Sequence, residues 1–189
     1  EEVMGRLVAH RLQWNRTNVL EADYMDTDEV QKAQNKTIEL GEYPLYIDDQ
    51  TTELNMIKMK VERMARRDEI DLVVIDYFGL IDLSHNPYNS KQTVLRQISK
   101  EIKKLAKRAD IPIILLGQLN RNVTRREDNI PRMSDWRGTG GIEQDCDIGI
   151  LLHRDDLYEE DEDDSGDNAA DSVGELELHV KKMRNGPIG

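Results

Sequence analysis

The run of residues 71–77, Asp-Leu-Val-Val-Ile-Asp-Tyr, constrains the fold more than any other stretch of the chain. Its apolar and mostly β-branched centre predicts a strand buried on both faces, as in the interior of a parallel sheet. The strand ends in a carboxylate, Asp76, at the end where open α/β sheets bind ligands. Asp is also a common turn residue. The position alone therefore leaves two alternatives, a ligand site and a turn.

Helix and strand patterns alternate around this strand. Apolar residues at helical spacing predict helices over residues 3–14, 26–40 (ending at Gly41) and 53–69, and a long helix with a core stripe from Val94 to Ala109. Further strands are predicted at Pro44–Asp49, Ile111–Gly117 and Cys146–His153, and an edge or half-exposed strand at Gly174–Val180, followed by a basic turn from Lys181. The order of Pro44–Asp49, helix and residues 71–76 implies a parallel β-α-β unit. The predicted fold class is α/β, with a mostly parallel sheet flanked by helices.

The charge of the chain is unevenly distributed. The net charge is −12, yet ten acidic residues and no basic residue lie between Asp155 and Asp171, so the rest carries about −2. We expect residues 155–173 to form an acidic, disordered insertion, because they contain too little apolar surface to fold. The long helix has a basic face that is either solvated or in contact with nucleic acid or a neighbour, and it comprises Lys91, Arg96, Lys100, Lys103, Lys104, Lys107 and Arg108.

Composition also argues against several classes of protein. No apolar run reaches membrane-spanning length, and no signal-peptide pattern is present. The single cysteine, Cys146, excludes an internal disulfide, and the four histidines lack the spacing of zinc ligands. A cytoplasmic protein without membrane contact is expected.

Residues 119–141 form a long segment rich in Arg, Asn and Gly but without a core pattern. Such a length without apolar periodicity indicates a functional loop rather than a simple connection.

Five motifs, taken together, resemble the ATPase domain of DnaB-type hexameric replicative helicases. They occupy residues 74–77, 116–121, 133–140, 142–147 and 182–187. The resemblance covers residues 1–189 and implies a RecA-like fold, a homohexameric ring, ATP with Mg²⁺ between neighbouring subunits, and single-stranded DNA in the centre. It also makes primase and a helicase loader candidate partners.

The resemblance implies roles for four residues at the nucleotide. Asp76 matches the Walker B aspartate, which positions the metal ion. Gln118 matches the polar sensor of the γ-phosphate, whose amide can both donate and accept hydrogen bonds. Lys182 and Arg184 match the basic hairpin that reaches the ATP of the neighbouring subunit, with Arg184 as an arginine finger.

The resemblance also implies a DNA-binding segment between Arg121 and Gly141. Arg137, Gly138 and Gly140 match the loop that holds DNA phosphates, and Arg121 and Arg125 precede it. Contacts to phosphates give affinity without base specificity, as a helicase requires.

Two parts of the family's nucleotide site are missing from these residues. No Gly-x-x-x-x-Gly-Lys-Ser/Thr loop occurs in the sequence, and the catalytic Glu is expected just before Glu1. We therefore expect a single, partial P-loop NTPase domain over residues 1–189, an internal fragment that is inactive alone. The expected function of the full-length protein is ATP-dependent DNA unwinding. The alternatives are a RecA-like recombinase or repair ATPase, and a non-catalytic RecA-like scaffold that binds DNA or a helicase ring.

Overall fold

The structure, a computed structural model, describes residues 2–14, 26–83, 90–120, 123, 126, 129–136, 141–154 and 175–186. The chain divides into two compact units, Glu1–Asp49 and Gln50–Gly189. No helix among the described residues has the length and apolar character needed to cross a membrane. The predicted acidic insertion, residues 155–173, lies outside the described residues.

The first unit consists of two helices that pack against each other, α1 (Glu2–Leu12) and α2 (Thr27–Gly41). Asp26 caps α2, because its Oδ1 accepts a hydrogen bond from Glu29 N at 2.8 Å while Glu29 Oε2 accepts one from Asp26 N at 3.2 Å. The sequence pattern predicts both helices correctly, including the end of α2 at Gly41.

The predicted strand at Pro44–Asp49 is wrong. These residues have no regular secondary structure and are exposed. A strand is stable only when its backbone groups pair with a neighbour, and in the described part of the chain the strand ladders join other segments. Consequently, no β-α-β unit is built on Pro44–Asp49.

The β-α-β unit of the second unit runs through the long helix instead. Strand β1 (Val73–Ile75) follows helix α3 (Leu54–Ala65), and helix α4 (Lys91–Ala109) connects β1 to strand β2 (Ile113–Leu115). The strands are parallel, with Val73 opposite Ile113 and Ile75 opposite Leu115. The α/β class is thus confirmed, but the parallel pair is β1 with β2 rather than the predicted pair of Pro44–Asp49 with residues 71–76.

The core of this unit lies on one face of β1 and β2. Helices α3 and α4 provide its fully buried side chains, Leu54, Ile98 and Leu105. Residues Val73 and Ile75 pack against this core, whereas Val74 is exposed. The prediction that this strand is buried on both faces is therefore wrong in the described part of the chain, because the helices cover only the side to which alternate residues point.

The second sheet is an antiparallel pair that follows a short helix, α5 (Ile142–Asp145). It joins β3 (Ile148–His153) to β4 (Glu177–Met183). Strand β3 is predicted correctly except that it begins at Ile148 rather than Cys146. Strand β4 is half-exposed as expected but runs from Glu177 to Met183 instead of from Gly174 to Val180. Lys181–Met183, predicted to be in a turn, belong to β4 because its pairing continues to Ile148, opposite Met183. The register shifts by one residue, since Gly149 faces Lys182 and Ile150 faces Val180, which leaves Lys181 as the extra residue of a β-bulge.

Candidate functional site

Asp76 and Gln118 lie at the same edge of the parallel pair. Asp76 directly follows β1, and Gln118 comes three residues after β2. Leu116 N donates to Ile75 O at 3.0 Å, and Phe78 N donates to Leu116 O at 2.9 Å, so these two bonds bracket Asp76 and hold it at the strand end. Asp76 and Gln118 are both exposed. The carboxyl edge therefore presents both a carboxylate and an amide, as expected for a ligand site.

Asp76 supplies a single carboxylate to this edge. No group of three His, Cys, Asp or Glu side chains able to hold a metal occurs among the residues that the structure describes. A Mg²⁺ ion usually keeps several waters and binds through one or two carboxylates together with substrate phosphates. The exposed carboxylate of Asp76 fits such an ion as one ligand, and the donor set does not fit a metal held by protein alone.

The segment that leaves β2 packs against Trp136. A Cβ atom built on Gly117 would lie 2.6 Å from both Cζ2 and Nε1 of the Trp136 indole, so the ring lies directly on the backbone beside Gln118. An antiparallel bridge joins Leu119 to Trp136, and Asn120 N donates to Asp135 O at 2.7 Å. The residue after Gln118 is therefore tied to the residue that precedes Arg137.

An ion pair between Arg126 and Asp135 also stabilises the segment before Trp136. Arg126 binds Asp135 with both terminal nitrogens, Nη1 to Oδ1 at 3.1 Å and Nη2 to Oδ2, and also donates to Ile130 O at 2.9 Å. Burial would raise the pKa of Asp135, but the hydrogen bonds from Arg126 and from Arg132 N outweigh it and keep this pKa below its ordinary value. Arg126 therefore has a structural role.

The predicted DNA-binding residues Arg121, Arg125, Arg137, Gly138 and Gly140 lie outside the described residues. Their roles stay predictions. What the structure describes is the scaffold on either side, namely Trp136 before the last three and Gly141 after them.

Lys182 and Arg184 meet at the carboxyl end of α5. Lys182 Nζ donates to Glu143 O and, at 3.4 Å, to Gln144 O. Arg184 Nη2 donates to Gln144 O at 3.0 Å. The last carbonyls of a helix lack partners within the helix and attract cations. The structure thus brings the two residues of the predicted basic hairpin together, and in the described part of the chain neither of them bonds to Asp76 or Gln118.

Asp147 contacts Arg184 as well and was not predicted as a site residue. Its Oδ1 accepts from Arg184 Nη1 at 3.2 Å, its Oδ2 accepts from Lys103 Nζ, and its backbone O accepts from Arg184 N at 2.9 Å. The hydrogen bond from Lys103 keeps the pKa of Asp147 below its ordinary value. Asp147 and Arg184 are 37 residues apart, so only the β3–β4 pairing brings them together, and no local pattern indicates the contact.

Part of the basic face of α4 is neutralised by acidic residues of the same chain. Lys104 pairs with Glu101 at 2.8 Å, Arg108 pairs with Glu62 at 2.8 Å, and Lys103 binds Asp147. These three residues hold neighbouring elements together, which favours a structural explanation for their part of the face.

The chain is similar to known replicative helicases in sequence and structure. It is 37% identical over 164 residues to replicative DNA helicase DnaB of Mycobacterium leprae, an alignment with 86% of this chain and 26% of the relative. It is 40% identical over 149 residues to DnaB of Leifsonia xyli subsp. xyli, covering 78% of this chain and 31% of that protein. The chain thus spans about a quarter to a third of the length of these curated relatives.

Among solved structures, the chain resembles a DnaB-like replicative helicase determined together with its interactions with primase. The TM-score is 0.84 at 30% identity, and the match covers 100% of this chain and 44% of the solved one. This likeness confirms the α/β, RecA-like fold class. The sequence also matches the DnaB-like helicase C terminal domain family over residues 1–189. The resemblance found in the motifs is thereby confirmed, and the chain belongs to the DnaB-like helicase C terminal domain family.

Proposed function

We propose that the chain is part of the ATP-driven motor of a replicative DNA helicase, which acts as a hexameric ring, translocates on single-stranded DNA and unwinds duplex DNA. Membership of the family supports this proposal. The observation that carries it is the placement of Asp76 and Gln118 at one carboxyl edge, since this edge is where a Walker B acid and a phosphate sensor must lie to act on one nucleotide.

At this edge, Asp76 orients Mg²⁺ and Gln118 reads the γ-phosphate. When bound, ATP and Mg²⁺ supply the phosphoryl group and the cationic charge that offsets its developing negative charge. The Gln118 amide donates to a phosphate oxygen and retains an oxygen that can accept elsewhere. Its neighbour Gly117 lies under Trp136, so a displacement of Gln118 is transmitted to the segment that enters residues 137–140.

Lys182 and Arg184 act on the nucleotide of the neighbouring subunit in this proposal. A guanidinium group has five N–H donors in one plane and stays charged, which suits it to stabilise charge that builds on the transferred phosphoryl group. Lys182, a compact charge, adds to the same field. Arg184 lies in the exposed turn after β4 and Lys182 lies near the end of that strand. Neither of them bonds to Asp76 in the described part of the chain, which supports action between subunits rather than within one.

Single-stranded DNA is held by its phosphates in this proposal, through Arg121, Arg125 and Arg137 and the backbone amides of Gly138 and Gly140. Primase and a helicase loader are the proposed partners. Primase is proposed because the solved structure of a DnaB-like replicative helicase describes its interactions with primase. The cytoplasmic location stays a prediction from the sequence.

Asp76→Asn in the full-length protein tests the proposal. The substitution removes the charge that holds the metal, so ATP turnover and strand unwinding should both be abolished while the ring still assembles. The matched control is Asp71→Asn, the same change in an exposed acid at the opposite end of the same strand, which should leave turnover nearly unchanged. Near-normal turnover in Asp76→Asn would reject the Walker B assignment. Absence of ATP turnover in the unsubstituted protein would favour the non-catalytic scaffold.

A further inference from the structure

We propose that Asp147 is a positioning residue for Arg184: it holds the guanidinium group in the orientation that faces a neighbouring subunit, and Lys103 holds Asp147 in turn. The inference rests on the proposed function and adds to it a residue that lies in another motif.

The guanidinium group of Arg184 is held by two hydrogen bonds. Its Nη1 donates to Asp147 Oδ1 at 3.2 Å and its Nη2 donates to Gln144 O at 3.0 Å. A planar group bonded at both terminal nitrogens has little freedom to rotate, so the entropy lost when it binds a phosphate is partly lost beforehand. These bonds use two of the five N–H donors of an arginine, and the other three remain for phosphate oxygens.

The side chains of this contact differ in exposure, and Lys103 is the most buried of the three. The side chains of Arg184 and Asp147 are 48% and 55% exposed, whereas that of Lys103 is 22% exposed. Lys103 belongs to α4, whose apolar side forms the core, so the carboxylate is anchored on the scaffold side. Arg184 lies on the open side, where a neighbouring subunit has access.

The backbone pairing of the hairpin does not depend on the side chain of Asp147. Arg184 N donates to Asp147 O at 2.9 Å, and the pairing of β3 with β4 ends next to it, at Ile148 opposite Met183. These backbone bonds do not involve the Asp147 side chain. Asp147→Ala should therefore leave the turn in place while it releases the guanidinium group of Arg184 and the ammonium group of Lys103 from the carboxylate.

The experiment measures ATP turnover, ATP affinity and ring assembly in the full-length protein for Asp147→Ala, Arg184→Ala and the double variant. Asp147→Ala should lower kcat by about tenfold to 10²-fold, the range expected when a catalytic group is misplaced, and change ATP affinity little. In the Arg184→Ala background, Asp147→Ala should change kcat by no more than about twofold, because it acts through Arg184.

Glu177→Ala is the matched control. Glu177 is an acid on the same hairpin, 52% exposed, and binds His179 at 2.8 Å instead of Arg184. This variant should retain normal turnover. Lys103→Met provides a second way to weaken the contact without changing Asp147, and it should lower kcat in the same direction as Asp147→Ala.

The failures of the two proposals are distinguishable. If Arg184→Ala turns over ATP normally, the arginine-finger role and this inference are both wrong. If Arg184→Ala is inactive while Asp147→Ala keeps normal kcat, only the positioning role is overturned. Losses that multiply in the double variant would also overturn it. If Asp147→Ala fails to assemble, Lys103→Met replaces it in the comparison, alone and together with Arg184→Ala. Normal kcat in Lys103→Met, or losses that multiply in its double variant with Arg184→Ala, would then overturn the positioning role.

Discussion

Glu101 lies between two lysines that belong to different parts of the second unit. Lys104, one turn along α4, donates to Glu101 Oε1 at 2.8 Å, and Lys58 of α3 donates to Oε2 at 2.6 Å. These hydrogen bonds lower the pKa of Glu101 from 4.5 to about 2. At the residue scale, then, a single carboxylate ties α3 to α4 beside the apolar contacts of the core.

Glu101→Gln should lower the free energy of unfolding at neutral pH by about 1 kcal/mol, a value that allows for solvent screening of a partly exposed group. Because the folded-state pKa is depressed, the contribution of Glu101 is fully present above the ordinary pKa of 4.5 and is lost as the pH falls towards about 2. The difference between the variant and the unsubstituted protein should therefore shrink in acid.

Denaturant titrations at several pH values measure this difference. Glu69→Gln, which removes a surface partner of Arg67 at 3.6 Å, is the control and should have a much smaller effect at every pH. A Glu101→Gln effect that does not vary with pH would contradict the electrostatic explanation.

At the element scale, the packing of Trp136 on Gly117 links two segments. While this contact is kept, the end of β2 and the segment before residues 137–140 move together. The contact leaves no room for a side chain, since a Cβ on Gly117 would lie 2.6 Å from two atoms of the indole. The indole is also part of the apolar packing around α3 and α4. In the proposed function, a displacement of Gln118 would therefore be passed to Trp136.

Gly117→Ala should displace the indole and weaken the link between nucleotide and DNA. We expect the stimulation of ATP turnover by single-stranded DNA to fall severalfold, basal turnover to change less, and the free energy of unfolding to drop by about 1–3 kcal/mol from overpacking. Trp136→Leu in the same protein should relieve the collision, so the two changes together should cost less stability than the sum of their separate costs. Gly41→Ala is the control, because nothing lies within 4 Å of a Cβ built there. Unchanged DNA stimulation in Gly117→Ala would count against this link.

The elements that the sequence predicts correctly are those with a strong local pattern. The stripe from Val94 to Ala109 defines α4, and Asp76 and Gln118 are recognisable because their position relative to a strand end is local. The strand predicted at Pro44–Asp49 fails because pairing depends on a distant partner. Asp147 escapes prediction for the same reason, since its contact with Arg184 depends on how β3 pairs with β4.

At the scale of the whole molecule, charge limits how DNA can be bound. The net charge is −12, and even without the acidic residues between Asp155 and Asp171 it is about −2, so the chain as a whole does not attract a polyanion. In the proposed function, binding of single-stranded DNA would therefore depend on a few phosphate contacts made locally.

Arg137→Ala in the full-length ring should weaken binding to single-stranded DNA of any sequence and make it less salt-dependent. Each lost phosphate contact should reduce the slope of log affinity against log salt by about 0.7. Titrations of a fluorescent oligonucleotide at several salt concentrations measure the slope. Arg66→Ala, an exposed arginine on the turn after α3, loses the same charge elsewhere and should leave the slope unchanged. Equal slopes for Arg137→Ala and the unsubstituted protein would mean that this loop has another role.

The β-bulge at Lys181 determines which one-residue deletions the hairpin can accommodate. Glu177, His179 and Lys182 share a face, because their partners on β3 are His153, Leu151 and Gly149, and strict alternation would have placed Lys181 there instead of Lys182. Loss of the codon for Lys181 would remove the extra residue and leave Lys182 opposite Gly149. Loss of the codon for Met183 would instead draw Arg184 into the ladder and away from Asp147. In evolutionary terms, we expect the loss of Lys181 to be tolerated and the loss of Met183 to be selected against.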